Sequence, residues 1–138
     1  MKTLLIFATG AALSLTGAAL AEGDAAAGEK LFKKCRSCHT ISNGDEIIFK
    51  GGKTGPNLYG VIGRVAGSAD FKYSKSLIAA GEAGLIWTEE LLAEFVANPT
   101  AFLKSILDNS KAKSKMSIKL KKGGADVAAY LASVSPAI

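Results

Sequence analysis

The sequence predicts one small all-α domain in which helices are joined by long loops. Near the C-terminus, Val127, Tyr130, Leu131 and Val134 follow the i, i+3, i+4, i+7 spacing of an amphipathic helix. Clusters of Gly, Pro, Asn and Ser between the apolar stretches indicate loops. No alternating strand pattern lies near the only two cysteines. The length of 138 residues is that of one domain.

Residues 1–21 have the features of a secretory signal peptide. Lys2 precedes an apolar run from Leu4 to Leu20, and Ala19-Leu20-Ala21 is a small-x-small cleavage site. An uncleaved membrane anchor is the alternative, but the run is short for a span and contains several Gly and Ala. We expect cleavage after Ala21, which leaves residues 22–138 as one domain exported to the periplasm.

The first helix is predicted over residues 24–34. Asp24 suits the N-cap position, and Leu31 and Phe32 lie on one side of the helix. Gly28 costs about 1 kcal/mol relative to alanine inside a helix, which favours a close contact with another helix over a merely tolerated glycine. Turn signals then predict an irregular segment over residues 40–58 and a loop that continues to residue 73.

Four more helices are predicted after this loop. A short one over residues 74–80 precedes one that Thr88 caps and that Asn98-Pro99 ends. The buried face of this third helix is Leu91, Leu92, Phe95 and Val96. A fourth helix over residues 100–107 would turn Phe102, Leu103 and Ile106 inward. Gly123-Gly124 precedes the last helix.

Cys35-Arg36-Ser37-Cys38-His39 holds both cysteines and the only histidine of the chain. Its spacing is the attachment signature of c-type haem. On a helical turn, positions i, i+3 and i+4 share one face, so two thiols can bond the haem vinyl groups while the imidazole reaches the iron. We therefore predict one covalent haem c, with thioethers from Cys35 and Cys38 and with His39 as an axial ligand.

Two other chemistries compete for the same residues. Two cysteines in an exported chain would by default form a disulfide, but a thioredoxin-like pair expects a βαβ context. Two cysteines and one histidine leave the fourth ligand of a zinc ion unsupplied.

The sixth iron ligand follows from a count of the remaining donors. After removal of the signal, Met116 is the only methionine and no second histidine exists. The candidates are Met116, a lysine, a terminal amine or an open site. A methionine in a lysine-rich loop is usually exposed, but once haem is present its thioether is the best soft ligand. The predicted His39/Met116 pair is typical of electron-carrying haems and raises the reduction potential.

Positive charge predicts the kind of partner. The chain carries 17 Lys and Arg against 12 Asp and Glu, and Lys2 is the only charged residue of the leader. A basic exported domain favours an acidic protein surface or a membrane face over nucleic acid. A run of lysines is often only a solvent-exposed surface. Beside a haem, however, it predicts a ring of positive charge on which acidic partners associate rapidly and bind weakly. The predicted docking residues are Lys33, Lys34, Lys53, Lys111, Lys113, Lys115, Lys119 and Lys121.

Taken together, these motifs resemble the class I cytochromes c, most closely the larger cytochrome c2 and c550 kind of purple and denitrifying bacteria. The resemblance covers nearly all of residues 22–138. Besides the haem motif it includes Thr54-Gly55-Pro56-Asn57-Leu58-Tyr59-Gly60, Trp87-Thr88-Glu89-Glu90 and Lys115-Met116. It implies the cytochrome c fold, in which helices and loops wrap around one covalently bound haem.

The resemblance also implies roles for further residues around the haem. Pro56 would offer its carbonyl to the second ring nitrogen of His39. Arg64, Tyr73 and Trp87 match positions that hydrogen-bond or neutralise a haem propionate; on sequence alone they would be a surface arginine and two core aromatics. The first and last helices would cross near the glycine of the first helix.

Some positions depart from the mitochondrial pattern. Phe95 stands where a tyrosine commonly hydrogen-bonds the methionine sulfur, and Leu77 where an asparagine helps to hold an internal water. Ser114 matches a threonine and keeps the hydroxyl. The polar network behind Met116 is therefore expected to be thinner. Two insertions, within residues 40–53 and 100–113, indicate the large bacterial kind.

By resemblance, the predicted function is a monomeric electron carrier and not an enzyme. It would take electrons from the quinol–cytochrome c oxidoreductase (bc complex) to a photosynthetic reaction centre or a terminal oxidase, and would meet the membrane only through these partners. One alternative is a haem peroxidase or gas-binding protein with a labile sixth ligand, for which Met116 must be displaced and no distal histidine is available. Another is a haem-free dithiol that cycles Cys35 and Cys38.

Overall fold

The structure, a computed structural model, describes residues 23–136. The predicted signal peptide and its cleavage site lie outside the described residues. The elements in chain order are α1 (Ala25–Phe32), a 3₁₀ turn (Lys33–Cys35), β1 (Ile41–Asn43), β2 (Glu46–Phe49), α2 (Lys75–Glu82), α3 (Glu89–Ala97), α4 (Pro99–Ile106) and α5 (Gly124–Ser133). A helix forms in each of the five predicted places, so the helical fold class is confirmed. Within residues 23–136, none of the helices combines the length and apolar content needed to cross a membrane.

Side-chain caps set where the helices begin. The Asp24 carboxylate accepts hydrogen bonds from the N–H groups of Ala26 and Ala27, at 2.9 and 3.3 Å. Thr88 and Asn98 cap α3 and α4 in the same way. Helix α4 begins one residue before the predicted start, because Pro99 occupies the first helical position, where its missing N–H costs nothing.

Helices α1 and α5 cross at Gly28, as predicted. A Cβ atom on Gly28 would collide with the Asp126 carbonyl and would lie 2.9 Å from the Tyr130 Cβ. Phe32 is fully buried beside this crossing, with its ring centroid 5.7 Å from that of Tyr130. The glycine therefore lets the two helix backbones approach closely enough for their large side chains to interlock.

Residues 40–58 are not wholly irregular, contrary to the prediction. Strands β1 and β2 form an antiparallel hairpin in which Asn43 pairs with Glu46, and Gly44 makes the turn with a φ of +58°. The strands have only three and four residues, and the first three residues of β2 are all exposed. An alternating pattern therefore does not appear in the sequence. The hairpin is attached to the core through Phe49, whose ring meets Phe32 edge-on at 4.8 Å.

Helices α3 and α4 supply the other side of the core. Leu92, Phe95 and Leu103 are buried as predicted. The prediction for Ile106 was wrong, because its side chain at the end of α4 is 43% exposed. Trp87 packs on Phe95 with the ring centroids 5.0 Å apart, which places the start of α3 against the core.

Replacing Gly28 with alanine tests the helix crossing. An alanine would raise intrinsic helix propensity, but its methyl group has no room against α5, so we expect Gly28→Ala to lower the free energy of unfolding by about 1–3 kcal/mol. Chemical denaturation of the holoprotein followed by circular dichroism measures this. Glu29→Ala, at an exposed neighbouring position, should change the value by less than about 0.5 kcal/mol. Equal stability of the Gly28 variant and the wild type would contradict the close crossing.

Candidate functional site

A cavity of about 210 Å³ lies between the helices and the two long loops. Its lining is mostly apolar and includes residues of α1, α3 and α5. It also includes all of the residues predicted to hold a cofactor or a metal: Cys35, Cys38, His39, Pro56, Arg64, Tyr73, Trp87 and Met116. Cys35 and Met116, for example, are 81 positions apart in the sequence and line the same cavity.

The turn from Cys35 to His39 has the geometry that the spacing predicts. The Cys35 carbonyl accepts hydrogen bonds from the N–H groups of Cys38 and His39, at 3.1 and 3.0 Å. These bonds close a helical turn, so that the three side chains share one face. Both thiols are free and half-buried. They are therefore available for covalent attachment of a group inside the cavity.

The imidazole of His39 is held so that Nε2 is the ring nitrogen available to bind a metal. The imidazole is 8% exposed, and its Nδ1 lies 2.8 Å from the Pro56 carbonyl oxygen. A carbonyl oxygen can only accept, so Nδ1 carries the proton and Nε2 keeps its lone pair. Burial lowers the pKa of His39 and outweighs the opposing effect of the Pro56 hydrogen bond, which keeps the ring neutral. A neutral, oriented imidazole is the form that binds a metal.

Three glycines of the following loop let it close on this turn. A Cβ on Gly55 would collide with the imidazole of His39, its Nδ1 lying 2.8 Å away. Gly51 and Gly52 lie against the backbone carbonyls of His39 and Ser37 in the same way. In the sequence these glycines are turn signals, in a segment that can fold closely over a flat ligand. The clustering of these glycines soon after the haem motif is the sequence feature that indicates close packing of the loop on the turn.

Asn57 and Thr40 tie the same loop to the hairpin. The Asn57 amide donates to the Ser42 carbonyl at 2.8 Å and its oxygen accepts from the N–H groups of Ser42 and Tyr59, each at 3.1 Å. The Thr40 hydroxyl donates to the Gly51 carbonyl at 2.9 Å. The sequence analysis assigned neither residue a role of its own. These bonds hold the backbone next to Pro56, and so its carbonyl, in place.

The two thiols differ in acidity. Hydrogen bonds from the hydroxyls of Thr54 and Ser37 lower the pKa of Cys38. Burial raises the pKa of Cys35, and the neighbouring charge of Cys38 raises it further. Cys38 is therefore the more readily ionised nucleophile of the pair while both remain thiols.

Arg64 lies over the loop that carries Pro56. Its guanidinium donates to the Asn57 carbonyl at 3.2 and 3.3 Å and to the Tyr59 carbonyl at 3.3 Å. Burial lowers the pKa of Arg64, and the neighbouring Tyr73 opposes this effect. Arg64, Tyr73 and the nearly buried Trp87 all line the cavity, so the structure brings the three predicted propionate-binding residues together.

Met116 enters the cavity from the loop between α4 and α5. It is half-buried and packs against the core, next to the exposed Ile118. Leu77 and Phe95, which replace polar residues of the mitochondrial pattern, line the same cavity. These two side chains add to the mostly apolar lining of the cavity.

The lysines predicted for docking are all exposed: Lys33, Lys34, Lys53, Lys111, Lys113, Lys115, Lys119 and Lys121. Lys34 and Lys115 line the cavity itself. The other six lie outside its lining. Lys115 also donates from Nζ to the Lys72 carbonyl at 2.7 Å, which joins the methionine loop to the 71–73 loop.

The residues present fit a haem. The cavity is mainly apolar, two free thiols lie at its edge, and its donors are an imidazole nitrogen with a free lone pair and a thioether sulfur. Across residues 23–136, no three His, Cys, Asp or Glu side chains group as ligands of a bare metal ion. The donor set is that of a haem with two axial side-chain ligands.

Residues 25–135 match the cytochrome c family. The chain is 58% identical over 137 residues to cytochrome c2 of Rhodobacter capsulatus, covering 97% of this chain and 98% of that one. It is 64% identical over 116 residues to cytochrome c-551 of Roseobacter denitrificans, covering 83% and 84% of the two chains.

Solved structures agree with the sequence relatives. The crystal structure of Rhodobacter capsulatus cytochrome c2 is similar with a TM-score of 0.79 at 60% identity, covering 81% of this chain and 98% of that chain. Ferric cytochrome c-550 of Paracoccus versutus has a TM-score of 0.80 at 48% identity, covering 83% and 100%. The chain therefore belongs to the cytochrome c family, as a bacterial class I protein of the cytochrome c2 type, and its cofactor is one covalently attached haem c.

Proposed function

We propose that this electron-transfer haem protein works in the periplasm, with Cys35 and Cys38 as the thioether attachments and His39 and Met116 as the two axial iron ligands. The observation that supports this most directly is that one apolar cavity is lined by both cysteines, the only histidine and the only methionine of residues 22–138. The periplasmic location rests on the signal peptide predicted over residues 1–21.

His39 and its partners supply the fixed half of the site. The hydrogen bond from Nδ1 to the Pro56 carbonyl sets the ring orientation and makes Nε2 more basic as a ligand. Gly55 leaves the ring just enough space, and Asn57 holds the loop behind it. This arrangement limits movement of the donor nitrogen when the charge at the site changes, and small movement favours rapid electron transfer.

The bound haem supplies a one-electron Fe(II)/Fe(III) couple. The thioether of Met116 is a soft donor that favours the reduced state and so raises the reduction potential. Leu77, Leu92 and Phe95 present apolar surface and keep water from the cavity, which also penalises the more charged oxidised state. With His39 and Met116 as its two axial ligands, the iron would have no free position for a substrate, as an electron carrier requires.

Arg64, Tyr73 and Trp87 are proposed to hold a haem propionate. All three residues line a cavity whose surface is mostly apolar. The guanidinium is partly desolvated and its described acceptors are neutral carbonyls, so it keeps a full positive charge to offer to an anionic group.

The exposed lysines are proposed to dock acidic surfaces of redox partners. Lys34 and Lys115 lie at the cavity edge, where an electron would enter or leave. Attraction between such a basic rim and an acidic partner accelerates encounter without making the complex long-lived. We propose the bc complex as electron donor and a photosynthetic reaction centre or a terminal oxidase as acceptor, with the protein acting as a monomer.

Replacing Met116 with leucine tests the sixth ligand. Leucine keeps the volume and removes the sulfur, so we expect the methionine–iron absorption of the ferric protein to disappear. The reduction potential should fall by on the order of 0.1 V, within the span of about 0.8 V that axial ligands cover. Optical spectra and a redox titration measure both effects. Ile106→Leu, at an exposed position outside the cavity lining, should change neither. An unaltered spectrum and potential in Met116→Leu would refute the ligation.

Charge reversal at Lys34 and Lys113 tests the docking surface. We expect Lys34→Glu and Lys113→Glu each to slow the second-order reaction with purified bacterial bc complex by about tenfold at low ionic strength, and by less as salt is added. Stopped-flow absorbance gives the rates, and the reduction potential should be unchanged. Lys104→Glu alters net charge equally but lies on α4, neither at the cavity edge nor on the loop that carries Met116, so it should have a much smaller effect. Equal rates in all three variants would contradict specific docking.

A further inference from the structure

The segment that presents Met116 is a long loop without helix or strand. Helix α4 ends at Ile106 and α5 begins at Gly124. Non-helical loops of this length in compact domains usually serve a function and need their own anchors. The first half is compact, because Ala112 is 1% exposed and its N–H donates to the Asn109 carbonyl at 3.1 Å.

Two side-chain hydroxyls from neighbouring helices hold the backbone just before Met116. Ser76 Oγ, on α2, accepts from the Lys113 N–H at 3.0 Å. Thr100 Oγ1, on α4, accepts from the Ser114 N–H at 3.2 Å. The two bonds hold consecutive residues of the loop, each from a different helix, so they restrict both its position and its rotation.

The restraint continues to Met116 itself and then to the end of the loop. Ser114 Oγ accepts from the Met116 N–H at 3.0 Å. On the far side, the Leu120 N–H donates to the Val96 carbonyl at the end of α3, at 2.8 Å. Met116 therefore lies in a short span that is held at both ends by rigid helices.

We propose that the hydroxyls of Ser76 and Thr100 are positioning groups that keep Met116 on the iron, an inference that rests on the axial ligation proposed above. In the proposed opening, the backbone of residues 113–116 moves away from the cavity and takes the thioether with it. That movement breaks the two hydroxyl bonds. The bonds therefore stabilise only the state in which Met116 lies in the cavity, and they shift the population away from an open sixth position.

The apolar surroundings make these two bonds more consequential. Phe95 and Leu77 line the same cavity, and neither side chain has a polar group that could hydrogen-bond the sulfur or an internal water. Met116 has three rotatable side-chain bonds and adapts easily to other positions. Its placement then depends on the backbone, and the side-chain acceptors for the N–H groups of Lys113, Ser114 and Met116 are hydroxyls. The Lys115 Nζ adds a bond to the Lys72 carbonyl on the other side of the loop.

Imidazole binding to the ferric holoprotein tests this inference, because imidazole binds the iron only after the methionine has left. Removal of one hydrogen bond from the closed state should raise the apparent affinity for imidazole about threefold to tenfold in Ser76→Ala and in Thr100→Val. Ser76→Thr keeps the hydroxyl and should restore affinity to near the wild-type value. Spectrophotometric titration in the Soret region measures all of these, and the methionine–iron absorption is recorded before imidazole is added.

Ser105→Ala is the matched control, since Ser105 is an exposed serine of α4 whose hydroxyl makes no hydrogen bond to the loop in the described part of the chain. It should leave imidazole affinity unchanged. Wild-type affinity in both Ser76→Ala and Thr100→Val, with the methionine–iron absorption present in the wild type, would overturn the positioning role alone, even if the variants unfold more easily. A wild-type spectrum without that absorption would overturn the axial ligation and this inference with it.

Discussion

The hydrogen bond from His39 Nδ1 to the Pro56 carbonyl, at 2.8 Å, is the interaction on which the rest of the site depends. It links the turn that carries both cysteines to the loop that closes over it, and it selects the nitrogen that remains free as a donor. The glycines of the loop are needed because any larger residue at position 55 would strike the ring. The hairpin contributes as well, because the amide of Asn57, the residue after Pro56, donates a hydrogen bond to the Ser42 carbonyl of β1.

The opposite half of the site is built by different means. His39 is held by its own ring, whereas the flexible side chain of Met116 is held through its backbone, by hydroxyls from α2 and α4 and by a carbonyl of α3. Phe32, which is buried at the α1–α5 crossing, lines the cavity between these two halves. An electron carrier benefits from such rigidity because little has to rearrange when the charge on its cofactor changes.

Local spacing explains what the sequence could predict. The turn from Cys35 to His39 closes through bonds between near neighbours, and the helices follow from caps and apolar periodicity. The hairpin was missed because its strands are short and largely exposed, and the inward orientation of Ile106 was wrong because α4 ends there. The Ser76 hydroxyl accepts a hydrogen bond from a backbone N–H 37 residues away in the sequence. The Thr100 hydroxyl accepts one from a backbone N–H 14 residues away. Such pairs depend on how the helices pack against one another, and the apolar periodicity of a helix does not predict that packing.

The central claim is that His39 and Met116 bind opposite faces of one haem iron. Proton NMR of the reduced holoprotein with a ¹³C-labelled methionine methyl group tests it most directly, because residues 22–138 contain a single methionine. A methyl group bound through sulfur to the iron lies over the porphyrin ring. The account predicts one labelled methyl resonance shifted strongly upfield by the ring current. A labelled resonance at the ordinary position of a free methionine would contradict it.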